Sequence, residues 1–271
     1  MLAHALPLVF ALLVWWAGTG LVLFLDQLPA RTYRWSMAGA SALALAAMAG
    51  LAITSDDASV SGAYIAFACG VAVWGWHEMA FLMGYLAGPR KSPATAARGG
   101  WRHVMQAIEA ILFHELAILV TLAAILALTW GGANQVGPGT FAILWIMRLS
   151  AKLNVYLGVP NLTEEFLPAH LKYLKSFFAR KPMNLLFPVS VSLSTAATLW
   201  LAQMALAPGA DAFAVAGYGL LASLMGLAVL EHWFLVLPLP VTALWGPCLP
   251  PEQLDATPPD PRRGLAQRPI V

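Results

Sequence analysis

Charge is what this chain has least of. Asp, Glu, Lys and Arg make up only 10% of its 271 residues, against 60% hydrophobic residues and a mean hydropathy of +0.72. A soluble domain of this length cannot clothe its surface with so few charges, so the composition excludes one and implies an integral membrane protein. Cysteine is nearly absent. Cys69 lies in an apolar run and Cys248 near the C-terminus, which excludes a disulfide framework and a CxxC metal site. No Lys or Arg precedes the first apolar run and no small-residue cleavage pattern follows it, so a cleavable signal peptide is not expected. There is no GxxxxGKS, GxGxxG, HExxH or histidine-box motif, no internal repeat, and no Lys in the last apolar run to carry a retinal Schiff base.

Apolar runs are plentiful. Seven approach the roughly 20 residues that cross a bilayer, at 5–25, 35–53, 60–86, 104–130, 140–157, 185–207 and 213–239. Lys and Arg mark the cytoplasmic side of a span. Here they follow the first run (Arg31, Arg34), the third (Arg90, Lys91, Arg98, Arg102), the end of the fifth (Arg148 to Lys181) and the seventh (Arg262, Arg263, Arg268). The alternate loops hold none, and two of them carry Asp56, Asp57 and Asp211. The pattern predicts an all-α, polytopic membrane protein with seven transmembrane helices, its N-terminus outside (periplasmic) and its C-terminus cytoplasmic. Residues 1–246 form the membrane domain. Residues 247–271 are too rich in Pro and too poor in apolar surface to fold, and are expected to be a disordered cytoplasmic tail.

The second run, SMAGASALALAAMAGLA, offers small residues for close helix packing. Neither it nor the first run carries visible chemistry. The basic loop 88–102 reads as a topology determinant beside anionic headgroups. Around 164–180, Leu171, Leu174, Phe177 and Phe178 share one helical face, with Lys172, Lys175 and Arg180 away from it. That pattern predicts an amphipathic helix lying on the inner membrane surface, and a partner-docking helix would look the same.

The chemistry-bearing residues lie inside the spans. His77-Glu78, His114-Glu115 and Glu231-His232 occur in the third, fourth and seventh runs, with Arg148, Lys152 and Asn154 in the fifth. At 1.5 Å per residue from the basic end, all three pairs and Arg148 fall at about 10–17 Å depth. Arg148 starts too deep to reach water and is expected to face the bundle interior, whereas Lys152 can snorkel. Glu78, Glu109, Glu115 and Glu231 outnumber the two cations, leaving two negative charges for protonation, protonated histidine or a bound metal. Adjacent residues diverge by about 100° on a helix, so each pair sends one member inward. Three readings stand. His77, Glu78, His114, Glu115, Glu231 and His232 can ligate iron, manganese or zinc, with Arg148, Lys152, Asn154 and Glu109 around them. They can form a purely structural network. Or a histidine can be the axial ligand of a tetrapyrrole.

The stretches WGWHEMAFLMGYLAGPR (Trp74–Arg90), FHE (Phe113–Glu115), NQVGPGTFAILWIMRLSAKLNVYLGVPN (Asn134–Asn161), EEFLPAHLKYL (Glu164–Leu174) and EHWFLVLPLP (Glu231–Pro240) resemble the PuhE family. These are photosynthetic complex assembly proteins of purple and related anoxygenic phototrophic bacteria. The resemblance implies a place in the bacterial inner (cytoplasmic or intracytoplasmic) membrane and a role in forming the reaction centre and its core antenna, linked to bacteriochlorophyll supply. It also implies a gene beside that of the reaction-centre H subunit. The family supplies no catalytic residues to carry over.

Three functions follow. One is a non-enzymatic assembly factor among membrane lipids, touching reaction-centre or light-harvesting subunits or other assembly factors and no nucleic acid. The second is a membrane metalloenzyme, an oxidoreductase built on the His/Glu set. The third is a bacteriochlorophyll carrier. Glu109 lies nearest the headgroups, so Glu231→Gln is expected to impair complementation of a deletion strain more than Glu109→Gln does; equal tolerance would count against a buried site.

Overall fold

The computed structural model describes residues 2–162 and 167–237. Among these the chain folds into seven long helices and no strand: α1 (Leu2–Asp26), α2 (Tyr33–Ile53), α3 (Val60–Leu82), α4 (Trp101–Leu128), α5 (Val136–Leu157), α6 (Leu186–Ala205) and α7 (Ala212–Phe234). Each occupies one of the apolar runs. The side chains of Ser59 and Asp211 accept the amides of Gly62 and Ala214, at 3.0 and 2.7 Å, and so cap α3 and α7. Pro138 and Pro188 sit in the first turns of α5 and α6, where a missing N–H is tolerated. α3 stops at Leu82, four residues short of the apolar run's end, because Gly84 takes φ +79° and turns the chain back.

Six helices are long and apolar enough to cross a membrane: α1, α2, α3, α4, α6 and α7. α5 is as long, at 22 residues, but Arg148, Lys152 and Asn154 leave it out on composition. Leu12, Leu13, Leu43, Leu45, Val120, Leu193 and Leu199 all point outward, as a lipid-facing surface requires.

α3 is the innermost helix and packs on α1, α2, α5 and α7, while α7 also carries α1 and α6. Phe67, Phe141, Leu51, Ile118, Ile125, Leu220 and Leu224 fill the centre. Small residues mark the crossings. Gly50 meets Cys69, Gly219 meets Pro7, and a Cβ on Gly70 would stand 3.0 Å from the Gly137 carbonyl oxygen.

The basic end is closed by chain that the sequence pattern assigns to the membrane surface. Residues 83–100 fold back against α4. The His114 amide donates to Ala87 O at 2.9 Å, and a Cβ on Gly88 would collide with the Glu109 and Ala110 carbonyl groups. Arg98 donates to Phe178 O and Ser176 O, and the Ala94 amide donates to Ser176 Oγ, tying this loop to the segment that follows α5. That segment, Ala169–Phe177, is a 3-10 helix rather than an α-helix. With three residues per turn, Leu171, Leu174 and Phe177 stack on one line. They bury against Phe81, Ala87 and Ala110, so their apolar face covers protein instead of lipid. Phe178 is half-buried beside them and Lys172 is exposed. The expected start of this helix at 164, the end of the seventh span at 238–239 and the tail at 247–271 lie outside the described residues.

Candidate functional site

In each of the three pairs the imidazole turns inward. His77, His114 and His232 are all buried, whereas Glu78 and Glu115 sit at the rim and Glu231 is exposed. A rotation of about 100° between neighbours on a helix is enough to separate them in this way.

The carboxylates are engaged by α5. Arg148 Nη2 lies 3.2 Å from Glu78 Oε2, joining α5 to α3. One turn on, Lys152 Nζ lies 2.7 Å from Glu115 Oε1, joining α5 to α4. Trp145 Nε1 donates to the second Glu115 oxygen at 3.2 Å, and the Lys152 ammonium stands 5.6 Å over the Phe81 ring. Two expectations are corrected here. Lys152 does not snorkel outward, because Glu115 and Phe81 hold it inside. Arg148 does not face the interior; it lies at the rim with 46% of its side chain accessible. Glu231 makes no ion pair among the described residues. Its Oε1 accepts a 2.7 Å hydrogen bond from Trp15 Nε1 on α1, and its charge is near enough to act on Arg148. Glu109 is exposed and pairs with Arg90 of the folded-back loop at 3.6 Å.

The histidines form two groups. His77 and His114 face each other edge-on with ring centroids 6.4 Å apart. His77 Nε2 is 3.0 Å from Thr121 Oγ1 on α4. His232 belongs elsewhere, in a polar seam between α5, α6 and α7. Its Nδ1–H donates to Ala228 O at 2.9 Å, and Ser150 Oγ lies 2.9 Å from its Nε2 and 3.0 Å from Ser190 Oγ. Asn154 continues the seam. It donates to Ser150 O and Ser190 Oγ, and accepts from Asn184, which also donates to Gly158 O. With its partners satisfied, this seam reads as structure. The six candidate ligands therefore divide among separate partners, and among the described residues no group of three or more His, Cys, Asp or Glu is placed to hold a metal ion.

Two buried polar residues were not legible from the pattern of pairs. His103, at the start of α4, is buried with Nδ1 3.0 Å from Tyr156 Oη and its ring against Phe177. It looks exposed in sequence; Tyr156 of α5 and the packed 3-10 helix cover it. Asp26, at the end of α1, is buried, and neither carboxylate oxygen has a hydrogen-bond partner among the described residues. An acid closing an apolar run was the available signal.

The family model described as "Protein of unknown function (DUF3623)" matches residues 1–256. The uncharacterised 30.4 kDa protein in the puhA 5′ region of Rhodobacter capsulatus is 40% identical over 242 residues, which cover 88% of each chain. No solved structure matches.

The Lys152–Glu115 pair is mostly covered, and removing one partner strands the other charge. Glu115→Gln or Lys152→Met alone is expected to lower stability by about 3 kcal/mol. The double variant should lose clearly less than the sum of the two, because neither charge is then left alone. Thermal unfolding in detergent measures both.

Proposed function

The chain belongs to the DUF3623 family, and from that membership we propose that it is a membrane factor for assembly of the photosynthetic reaction centre and core antenna, linked to bacteriochlorophyll supply. The observation that carries this reading is the location of its 40% identical relative, in the puhA 5′ region of Rhodobacter capsulatus. The resemblance of the Trp74–Arg90 and Asn134–Asn161 stretches to PuhE proteins points the same way. The geometry suits a scaffold. Most carboxylates in the helices have partners within the protein, and the broad outer surface of exposed Leu, Val and Trp offers faces to lipid and to the spans of pigment-protein subunits. An oxidoreductase with a carboxylate-rich iron or manganese centre draws no support from carboxylates already bound to Arg148 and Lys152.

In this reading all seven helices span the bacterial inner membrane, with the N-terminus periplasmic and the basic end cytoplasmic. α5 crosses because its two cations are neutralised by α3 and α4. The 3-10 helix and the loop 83–100 then form a cytoplasmic cap, displaying Lys91 and Lys172, beside Arg102 at the start of α4, to anionic headgroups or to an acidic partner surface.

Deleting the gene in its phototrophic host is expected to reduce reaction-centre and core-antenna absorption in isolated membranes, with restoration by the intact gene. Unchanged complex levels would overturn the assembly role. Fusions truncated after Asp57 and after Gly132 should be active with a periplasmic reporter, and fusions after Arg98 and after Lys181 with a cytoplasmic one. The same sidedness on both flanks of α5 would remove it from the set of spans.

A further inference from the structure

Three buried ring nitrogens on α3 and α4 have no hydrogen-bond partner among the described residues: Nδ1 of His77 and both nitrogens of His114. Both side chains are 0% exposed. Orphaned polar atoms so deep in a protein each cost about 1–3 kcal/mol, and such groups call for a partner. The two rings come from different helices and meet at an interplanar angle of 74° with centroids 6.4 Å apart. A single ion held between two imidazole nitrogens, with bonds of about 2 Å, sets the ring centroids about 6 Å apart. The spacing found here suits one shared ion.

His77 is already bonded in the manner of a metal ligand. Nε2 lies 3.0 Å from Thr121 Oγ1, which orients the ring; in the tautomer that carries its proton on Nε2 the hydroxyl accepts it and Nδ1 presents its lone pair. Glu78 Oε2 is taken by Arg148 and both Glu115 oxygens by Lys152 and Trp145. Glu78 Oε1 is buried without a partner, yet among the described residues no third His, Cys, Asp or Glu is placed to join the two rings on one ion. Iron, manganese or zinc would need two or more further ligands. Around the pair stand Trp76, Phe81 and Phe141, which supply none. Two neutral nitrogens with no anionic ligand suit a monovalent ion that accepts near-linear, two-coordinate binding. Copper takes imidazole readily, and its d10 monovalent form has that geometry. Lys152 and Arg148 stand nearby in ion pairs with Glu115 and Glu78.

We propose that His77 and His114 bind one copper(I) ion between α3 and α4. This site does not depend on the assembly role and would exist whether or not that role holds.

The test uses the full chain in detergent, reduced and anaerobic, carrying Cys69→Ser and Cys248→Ser so that no thiol competes. Copper(I) is presented from a bicinchoninate complex. One equivalent per chain is expected, lost in His77→Leu and in His114→Leu and retained in His232→Leu. X-ray absorption of the loaded chain with all its histidines should show two nitrogen scatterers at about 2 Å, a readout that does not rely on either variant folding. Failure of that chain to retain copper overturns the proposal. So does retention of a full equivalent by both Leu variants, or sulfur scatterers from methionine. Uptake of zinc(II) in place of copper(I) overturns the choice of ion.

Discussion

Two ion pairs one helical turn apart decide whether α5 can sit in this bundle. Arg148 and Lys152 would each cost about 3 kcal/mol near the centre of a bilayer by insertion scales, and α5 has too little apolar surface to offset both. Glu78 on α3 and Glu115 on α4 supply the missing counter-charges, at 3.2 and 2.7 Å. The dependence is mutual, because among the described residues each of these carboxylates finds its ion-pair partner on α5. α4 packs less closely on its neighbours than α6 or α7 does, and the Lys152–Glu115 contact is one of the ties that hold it to the centre, with buried Ile118 and Ile125.

That use of the carboxylates shapes everything beside them. Each His-Glu pair divides, with the acid bound at the rim and the imidazole left inside. At His232 the interior supplies partners in Ala228 O and Ser150, and the result is a finished polar seam. At His77 and His114 it supplies one hydroxyl for four ring nitrogens. The first arrangement explains itself as structure. The second leaves three buried nitrogens without a partner among the described residues.

The end of the bundle bearing the basic loops shows the same economy of chain. The loop 83–100 reaches α4 only because Gly88 has no side chain, and it hydrogen-bonds backbone at Ala87 and side chains at Arg98. The 3-10 helix lays Leu171, Leu174 and Phe177 over the exposed ends of α3 and α4. A pattern of apolar residues spaced by three fits an α-helix lying on lipid and a 3-10 helix lying on protein equally well. Periodicity cannot tell which apolar medium lies beneath.

Much was legible in the residues alone, for a physical reason. Burying backbone in hydrocarbon demands helices of a set length, and the cost of moving Lys and Arg across the membrane writes itself into alternate loops, so seven helical segments and their charge asymmetry need no knowledge of contacts. Helix geometry also separates neighbours, so each pair was bound to split. Which member turns inward, which carboxylate meets which cation, and which histidines meet each other depend on helix rotation and crossing. Those are set by contacts such as Gly70 with Gly137 and Gly50 with Cys69, between residues far apart along the chain. Depth along a helix is a one-dimensional quantity that a sequence carries. Direction around it is decided only when the other helices are in place.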